Sequence, residues 1–337
     1  MQRSLVGSEM CIRDSNKGIM TENVAFQAID YLVKNSTDEL LHIAFLGGEP
    51  LLNFPLLKKV VEYCKQISAD TGKKFSYTIT TNGTLITDNI EKYLTENKIV
   101  CQISLDGTKE KNDMNRFFRN KKGSYDVIVE KTKSMRHMNL VTARATVTPD
   151  NSDYKEIFNH LNELEFRAIP IAIAQNMVDD EQFDKILSEY INYIFYFEEL
   201  ILTKQYAKAK KMTDLVNALE KIEFGNVRNN GCGAGRTMFA VDIDGTLYPC
   251  HRFVGERKFA LGNIWTGSDN SKFLKMINVR NRDKCSKCWA QNLCLGCCPH
   301  ENYTNTNNIN LASERSCRMA KTIYEKLISV YLSLIHI

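Results

Sequence analysis

Residues 41–50 read LHIAFLGGEP and residues 75–83 read FSYTITTNG, two strand-like runs that each lead into a glycine-containing turn. The segment between them carries apolar residues at helical spacing, with Asn53 placed to cap a helix and Pro55 in its first turn. A strand, a helix and a strand joined by short connections are typical of a parallel βαβ unit. We therefore interpret residues 41–83 as one such unit.

The same alternation extends from this unit along the first half of the chain. It predicts five strands, at 41–46, 75–81, 99–105, 140–148 and 168–175, and five helices, the first capped by Thr21 and the others near 53–67, 87–96, 124–137 and 152–164. Residues 179–222 keep one apolar face and predict a helical bridge. A parallel sheet wound in this order closes as a barrel or stays open as a doubly wound sheet, and periodicity alone does not decide between them.

The cysteines divide into two kinds. Cys64 lies in a helical pattern and Cys101 in a strand pattern, where a small buried hydrophobic side chain is expected. Eight others lie between residues 232 and 317, and seven of these follow a spaced pattern: Cys232, twelve residues, Gly245, four residues, Cys250; then Cys285-x2-Cys288-x5-Cys294-x3-Cys298; then Cys317. A disulfide framework is disfavoured in a chain of this length, because a large core needs no cross-links.

This pattern suits a metal or cluster site. A four-iron cluster takes four thiolates, and Cys-x2-Cys places two sulfurs on one side of a metal. Two such clusters need eight ligands and the pattern supplies seven. One cluster would then be complete, and the other would have an open position, a non-cysteine ligand, or Cys297 as its fourth ligand. From the cysteines alone, a structural zinc ribbon is an equal alternative.

The cysteine pattern resembles the SPASM domain that is appended to radical S-adenosylmethionine (SAM) enzymes. The ends of three predicted strands agree: Gly47-Gly48-Glu49-Pro50 resembles the GGEP motif of that family, and the runs 80–84 and 104–107 resemble its sequences at matching strand ends. The resemblance covers about residues 20–328. It implies an α/β fold, a partial (β/α)6 TIM-like barrel lacking its first strand, followed by a small cysteine-rich SPASM domain.

The resemblance also implies the cofactors and their ligands. Two auxiliary 4Fe-4S clusters and S-adenosyl-L-methionine are expected, with a third, catalytic cluster in a full-length parent. The SAM-binding residues would be Gly47, Gly48, Glu49, Pro50, Asn82, Ser104 and Arg144. The family arrangement places Cys285, Cys288, Cys294 and Cys317 on the complete cluster and Cys232, Cys250 and Cys298 on the other. No catalytic residue is identified.

The implied function is that of an anaerobic oxidoreductase acting as a peptide maturase, forming a thioether or a related crosslink. Its partners would be a precursor peptide and a small electron donor, a flavodoxin or ferredoxin. Sulfatase maturation is the alternative, and a zinc-bearing binding module is the alternative from another class. Sulfatase-maturating enzymes have an acidic residue, used as a base, at the position of His251. The histidine here predicts a different role, as a base or as a hydrogen-bond donor beside a cluster.

One family feature is missing from the sequence. The family holds its catalytic cluster with Cys-x3-Cys-x2-Cys, and no such triplet occurs in these 337 residues. Residues 1–15 and 329–337 resemble foreign sequence added at the ends of a gene model. We therefore expect a truncated, inactive fragment with a partial barrel at 16–178, a bridge at 179–228 and a SPASM domain at 229–328. Loss of a first strand would leave the first helix and the next strand exposed.

Charge and hydropathy point to no further partner. The formal net charge is +4, with a pI of about 8.4, and no run of Lys or Arg forms a stripe for nucleic acid. No apolar stretch approaches the roughly 18 residues of a membrane span, and no signal peptide is recognisable. The sequence predicts a cytoplasmic protein without nucleic-acid or membrane partners.

Overall fold

The computed structural model describes residues 18–174, 177–225 and 231–334. The described residues do not include the predicted foreign segment 1–15. They also do not include Gln175, which is the last residue of the fifth predicted strand. The helices of the first half are α1 Glu22–Asn35, α2 Phe54–Thr71, α3 Asp88–Glu96, α4 Lys109–Asn115, α5 Tyr125–His137 and α6 Tyr154–Glu163. The strands are β1 Leu40–Phe45, β2 Lys74–Thr81, β3 Val100–Ser104, β4 Val141–Val147 and β5 Ile171–Ile173.

These five strands form one parallel sheet in the order β1-β2-β3-β4-β5, curled into a half-barrel. The predicted fold class is thereby confirmed. Side chains alternate along each strand, so one face of the sheet carries Ile79, Cys101 and Val141, all fully buried beneath the helices. The opposite, concave face carries polar side chains, among them Thr80, whose hydroxyl donates to Gln102 Oε1 at 3.2 Å.

The first helix begins and packs as its sequence indicates. Thr21 accepts a hydrogen bond from the amide of Val24 at 3.4 Å, which confirms the predicted N-cap. The expected exposure of this helix is wrong. Val24 is buried against Leu247 and Ile264 of the cysteine-rich half, because that half covers the side of α1 that faces away from α2. The strand β1 does form an edge of the sheet.

Two other details differ from the sequence prediction. The helix α4 was not predicted, and it lies between β3 and α5. The strand β5 covers three residues instead of the predicted 168–175. Pro170 limits it, because proline has no amide hydrogen to donate to a neighbouring strand, although its carbonyl still accepts from Ala145 at 3.3 Å.

The second half consists of helices and short strands. The bridge is formed by three helices, α7 Asp180–Leu202, α8 Tyr206–Ala209 and α9 Thr213–Phe224. Four short strands follow: β6 Ala240–Val241, β7 Thr246–Tyr248, β8 Gly262–Asn263 and β9 Gly267–Ser268. The chain then forms the helices α10 Ser271–Ile277, α11 Asp283–Ser286, α12 Gln291–Cys294, α13 Pro299–Thr306 and α14 Glu314–Leu334. The four strands form an antiparallel sheet in sequence order. The last helix lies along α7, where Arg315 pairs with Asp180 at 2.8 Å.

The last helix also bears on the predicted chain end. Residues 329–334 continue α14, and Val330 is buried in the main core with Leu327. The foreign origin of residues 329–337 stays a prediction. The first six residues of this segment are helical. No helix among the described residues is both long enough and apolar enough to cross a membrane.

Candidate functional site

The ends of β1 and β2 are joined through one buried carboxylate. Glu49 follows β1, and it accepts hydrogen bonds from the amides of Leu51 at 3.1 Å and Asn82 at 2.9 Å and from the Thr81 hydroxyl at 2.7 Å. Burial raises the pKa of Glu49, although these three donors oppose the shift. The side chain of Glu49 is thus engaged in holding two strand ends together.

The two glycines before it remain accessible. Gly47 and Gly48 are exposed, and a Cβ added at Gly47 would meet no atom of the described residues within 4 Å. Open space therefore lies above this backbone, as a ligand that contacts peptide groups requires. Pro50 begins a 3-10 turn that leads into α2. Asn82 accepts from the amide and the hydroxyl of Thr84 at 2.9 and 2.7 Å, which shapes the turn after β2.

The ends of β3 and β4 are joined by a second buried carboxylate, which sequence reasoning did not single out. Asp106 is 1% exposed and accepts from Arg116 Nε at 2.6 Å and Nη2 at 3.0 Å, and from the amide of Thr146 at 2.8 Å. The backbone carbonyl of Asp106 accepts from Asn151 at 2.6 Å. No sequence signal identified Arg116, because the pair forms only when α4 folds back onto the strand end.

The remaining residues predicted to bind SAM lie on β3 and β4. Ser104 and Arg144 are direct neighbours across β3 and β4, on the concave face. The Arg144 side chain is solvent-exposed, yet the protein around it lowers the pKa of its guanidinium by desolvation, with smaller contributions from Arg252 and Arg116. Arg144 therefore lies inside a concave site that solvent can enter.

The cysteine-rich half closes over this face. His251 is partly buried, and desolvation lowers its pKa to about 4, with Arg252 and Arg144 adding to the shift. A pKa of about 4 leaves the imidazole neutral at physiological pH. The segment that follows β7 thus brings a neutral histidine and an arginine to the carboxyl ends of the parallel strands, where ligands bind in parallel barrels.

Cys250, next to His251, belongs to a group of three cysteines. Burial raises the pKa of the Cys250 thiol to about 11, and electrostatic interaction with Cys298 and Cys232 contributes to that shift. Arg252 Nη1 lies 3.4 Å from Cys298 Sγ and 2.8 Å from Glu301 Oε1. The structure therefore brings Cys232, Cys250 and Cys298 together beside the concave face of the barrel.

The remaining cysteines form a second group. Cys317 interacts electrostatically with Cys294, Cys285 and Cys288, although burial is the main cause of its raised pKa. Arg282 is buried beside this group, donating to the carbonyls of Gly296 at 2.8 Å and Ile277 at 2.9 Å and hydrogen-bonding to Cys285. The two groups are those that the family arrangement predicts. Their ligand role stays a prediction.

The chemistry of each group fits a cluster. A single zinc ion would draw four ligands to about 2.3 Å from one point, whereas a four-iron cluster offers each thiolate its own iron. A three-cysteine and a four-cysteine group, each next to an arginine, can accept an anionic thiolate cluster.

Two protein-family models match the chain. The model described as the Radical SAM superfamily matches residues 10–164, and SPASM, an iron-sulfur cluster-binding domain, matches residues 232–289. An uncharacterized protein of Methanocaldococcus jannaschii is 32% identical over 197 residues, which cover 56% of this chain and 67% of that protein.

Relatives with named activities cover more of the chain. A cysteine-type anaerobic sulfatase-maturating enzyme of Clostridium novyi is 26% identical over 319 residues, covering 88% of this chain and 82% of that enzyme. The radical SAM cyclopropyl synthase TigE of Paramaledivibacter caminithermalis is 23% identical over 325 residues, covering 94% of this chain and 66% of that enzyme. The structure of native anSMEcpe with bound AdoMet and Cp18Cys peptide superposes with a TM-score of 0.78 at 22% identity, covering 94% of this chain and 93% of that one. This last similarity concerns the fold.

Proposed function

The chain belongs to the radical SAM superfamily and carries a SPASM domain, and on that premise we propose that it modifies a peptide, with a substrate sulfur bound at the three-cysteine group. Its cofactors are 4Fe-4S clusters and S-adenosyl-L-methionine. Its relatives of named activity are enzymes, among them maturating enzymes and a cyclopropyl synthase. Formation of a thioether or a related crosslink is the specific reaction proposed.

One observation carries this proposal: the three-cysteine group lies beside the face that would hold SAM. Arg252 contacts Cys298 at 3.4 Å and also interacts with Arg144 on β4. A cluster held by Cys232, Cys250 and Cys298 would keep one iron without a protein thiolate. A cysteine side chain of the substrate could bind there, close to the face where hydrogen abstraction would take place.

The residues that would hold SAM are those at the strand ends. The backbone of Gly47 and Gly48 would receive its amino group, Arg144 its carboxylate and Ser104 the carboxylate or ribose; Glu49, Pro50 and Asn82 would shape the surrounding turns. When bound and reduced by a cluster on Cys-x3-Cys-x2-Cys, SAM supplies a radical that abstracts hydrogen. No such triplet occurs in these 337 residues.

His251 supports thiolate chemistry in particular. An acidic side chain at this position would repel an anionic substrate sulfur, whereas a neutral imidazole would not. The imidazole can still accept a proton or donate a hydrogen bond at the mouth of the site. Arg144 and Arg252, which both interact with His251, favour an anionic group nearby.

Sulfatase maturation is the second candidate. The relatives named as cysteine-type and serine-type sulfatase-maturating enzymes favour it, since they match most of this chain. In that case the substrate residue would be oxidised without binding to a cluster, and His251 would serve as the proton acceptor. The proposed electron donor, a flavodoxin or ferredoxin, and the cytoplasmic location are common to both candidates and stay predictions.

A spectroscopic experiment separates the two candidates. The chain is reconstituted anaerobically with iron and sulfide, reduced, and titrated with a short peptide containing one cysteine, or with the same peptide containing serine. Coordination by the substrate sulfur predicts that only the cysteine peptide changes the electron paramagnetic resonance (EPR) signal of one cluster. Binding of the cysteine peptide without any change in the EPR signal would contradict the proposal and favour sulfatase-type chemistry.

A further inference from the structure

An eighth cysteine of the SPASM domain, outside the seven-residue pattern, lies in the four-cysteine group. Cys297 Sγ is 3.5 Å from Cys294 Sγ and 3.7 Å from the carbonyl oxygen of Ser316, the residue before Cys317. Cys297 also interacts electrostatically with Cys317. Five thiols are thus available where a four-iron cluster takes four.

The backbone that carries Cys297 is held in an unusual conformation. Leu295, Gly296 and Cys297 have φ values of 53°, 80° and 61°, three left-handed residues in a row. For a residue other than glycine, this conformation carries a steric cost. Glycine would avoid that cost at position 297, yet the chain has a cysteine there. Strain of this kind persists where the surrounding structure holds the residue in that conformation, and such residues cluster at functional sites.

The same run of residues forms a cradle for a thiolate. The amides of Gly296 and Cys297 both hydrogen-bond to the Cys294 sulfur, as successive amides in a left-handed turn do around an anion. The Cys294 and Cys297 sulfurs lie 3.5 Å apart, within hydrogen-bond distance, and either thiol can be the donor. The turn thus brings the Cys297 side chain next to the sulfur that its own backbone surrounds.

Cys297 and Cys298 face different groups although they are adjacent. The backbone changes from left-handed at Cys297, with φ 61°, to extended at Cys298, with φ −73° and ψ 124°. Cys298 contacts Arg252 beside the three-cysteine group, whereas Cys297 contacts Cys294. Cys297 is thus placed to serve the four-cysteine group instead of filling the fourth position of the other group.

We propose that Cys297 is an alternative ligand to the iron bound by Cys294, so that either thiolate of this adjacent pair can complete the four-cysteine cluster. This inference rests on the proposed function, which requires clusters at both groups. A thiol 3.5 Å from the ligand sulfur can replace it after a small rotation, with its proton released to solvent as it binds. The iron would then exchange one thiolate for the other without loss of the cluster.

Substitutions test this exchange by the response of each cluster to a small added thiol, and iron content checks that both clusters are present. Wild type, C294A, C297G, the double variant C294A/C297G, and C288A are reconstituted anaerobically, and iron and sulfide per chain are measured together with the EPR spectrum. Glycine is chosen at 297 because it removes the thiol and suits the left-handed backbone. C288A is the matched control, since the group offers Cys288 no such neighbouring thiol in the contacts described above.

Every variant is expected to keep about eight irons, because three thiolates can hold a four-iron cluster, as at the three-cysteine group. An added small thiol should change the EPR signal of only one cluster in wild type, C297G and C294A, and the signals of both clusters in C288A and in C294A/C297G, where the four-cysteine group lacks its fourth thiolate. In C294A the EPR signal of one cluster should also change its g-values while its intensity is kept. If the added thiol changes both signals in C294A as it does in C288A, or only one in the double variant, the inference is wrong. A wild-type chain that binds fewer than eight irons would instead contradict the proposed function, so the two failures are distinguishable.

Discussion

Arg252 directs Nη1 at the Cys298 sulfur from 3.4 Å and holds Glu301 with the same nitrogen at 2.8 Å. The Arg252 side chain is 29% exposed, and it lies between the three-cysteine group and the concave face of the barrel. A positive hydrogen-bond donor next to a ligand sulfur stabilises the more negative, reduced form of a cluster. The reduction potential of that cluster should therefore depend on Arg252.

We expect R252Q to lower this potential. A hydrogen bond to a charged group contributes about 1.5–3 kcal/mol, and partial exposure reduces that figure, so the shift should be on the order of 50 mV for one electron. A redox titration followed by EPR measures it. R280Q, which alters an exposed arginine of the same domain, should leave both potentials unchanged. An equal shift of both clusters in R252Q would refute a local effect of Arg252.

The buried pair of Asp106 and Arg116 should stabilise the barrel. R116Q would leave the Asp106 carboxylate, which is 1% exposed, without its two strongest donors. Loss of one partner from a buried ion pair costs about 3–5 kcal/mol. Urea denaturation should show this loss in the free energy of unfolding. R257Q breaks an exposed pair with Asp244 and should leave the free energy of unfolding nearly unchanged. Similar losses in both variants would contradict this assignment.

Asp214 should make stability depend on pH. It accepts from Tyr190 at 3.2 Å, and burial raises its pKa from 3.8 to about 6. The folded state therefore holds a proton that the unfolded state releases. This stabilisation is fully present below pH 3.8 and is lost as the pH rises through about 6.

D214N should remove this dependence. Relative to wild type, the variant should gain up to about 3 kcal/mol at pH 7 and nothing at pH 3.5. Unfolding curves in urea at several pH values give the difference, and D70N, at an exposed aspartate, controls for the lost charge. A gain in D214N that stays constant over this range would show that the Asp214 carboxyl does not titrate as described.

Arg144 should govern the affinity for SAM. R144Q removes the guanidinium beside Ser104, and loss of a charge-assisted hydrogen bond to a carboxylate predicts a roughly 10- to 150-fold weaker Kd. Isothermal titration calorimetry with SAM measures the effect on the reconstituted chain. R167Q, at an exposed arginine outside the site, should bind as wild type does. Unchanged affinity in R144Q would remove Arg144 from the proposed site.

Periodicity was sufficient for the sheet and its helices because their buried faces are apolar. It identified all five strands, and Cys64 and Cys101 are fully buried as expected. The helix α4 was missed for a physical reason. Its buried residue is Asn112, which accepts from the Asp106 amide at 3.2 Å and leaves the helix without an apolar stripe. Polar contacts of this kind carry no periodic signal.

The site was predicted in part. Cysteine spacing placed the second domain, and resemblance to a family suggested which sulfurs meet; the structure groups them in that way. Spacing alone could not do so, because Cys297 and Cys298 are adjacent and face different groups. The contacts of Arg252 and Arg116 were not predicted. Each depends on how distant segments meet, and Arg252 lies 46 residues from the cysteine it touches.

Metal content tests the central claim, that the two cysteine groups hold two four-iron clusters. Iron, acid-labile sulfide and zinc are measured on the chain after anaerobic reconstitution, together with its absorption spectrum. Two clusters predict about eight irons and eight sulfides per chain, with negligible zinc and a brown protein. Stoichiometric zinc with negligible sulfide would contradict the claim and would indicate a zinc-bearing binding module instead.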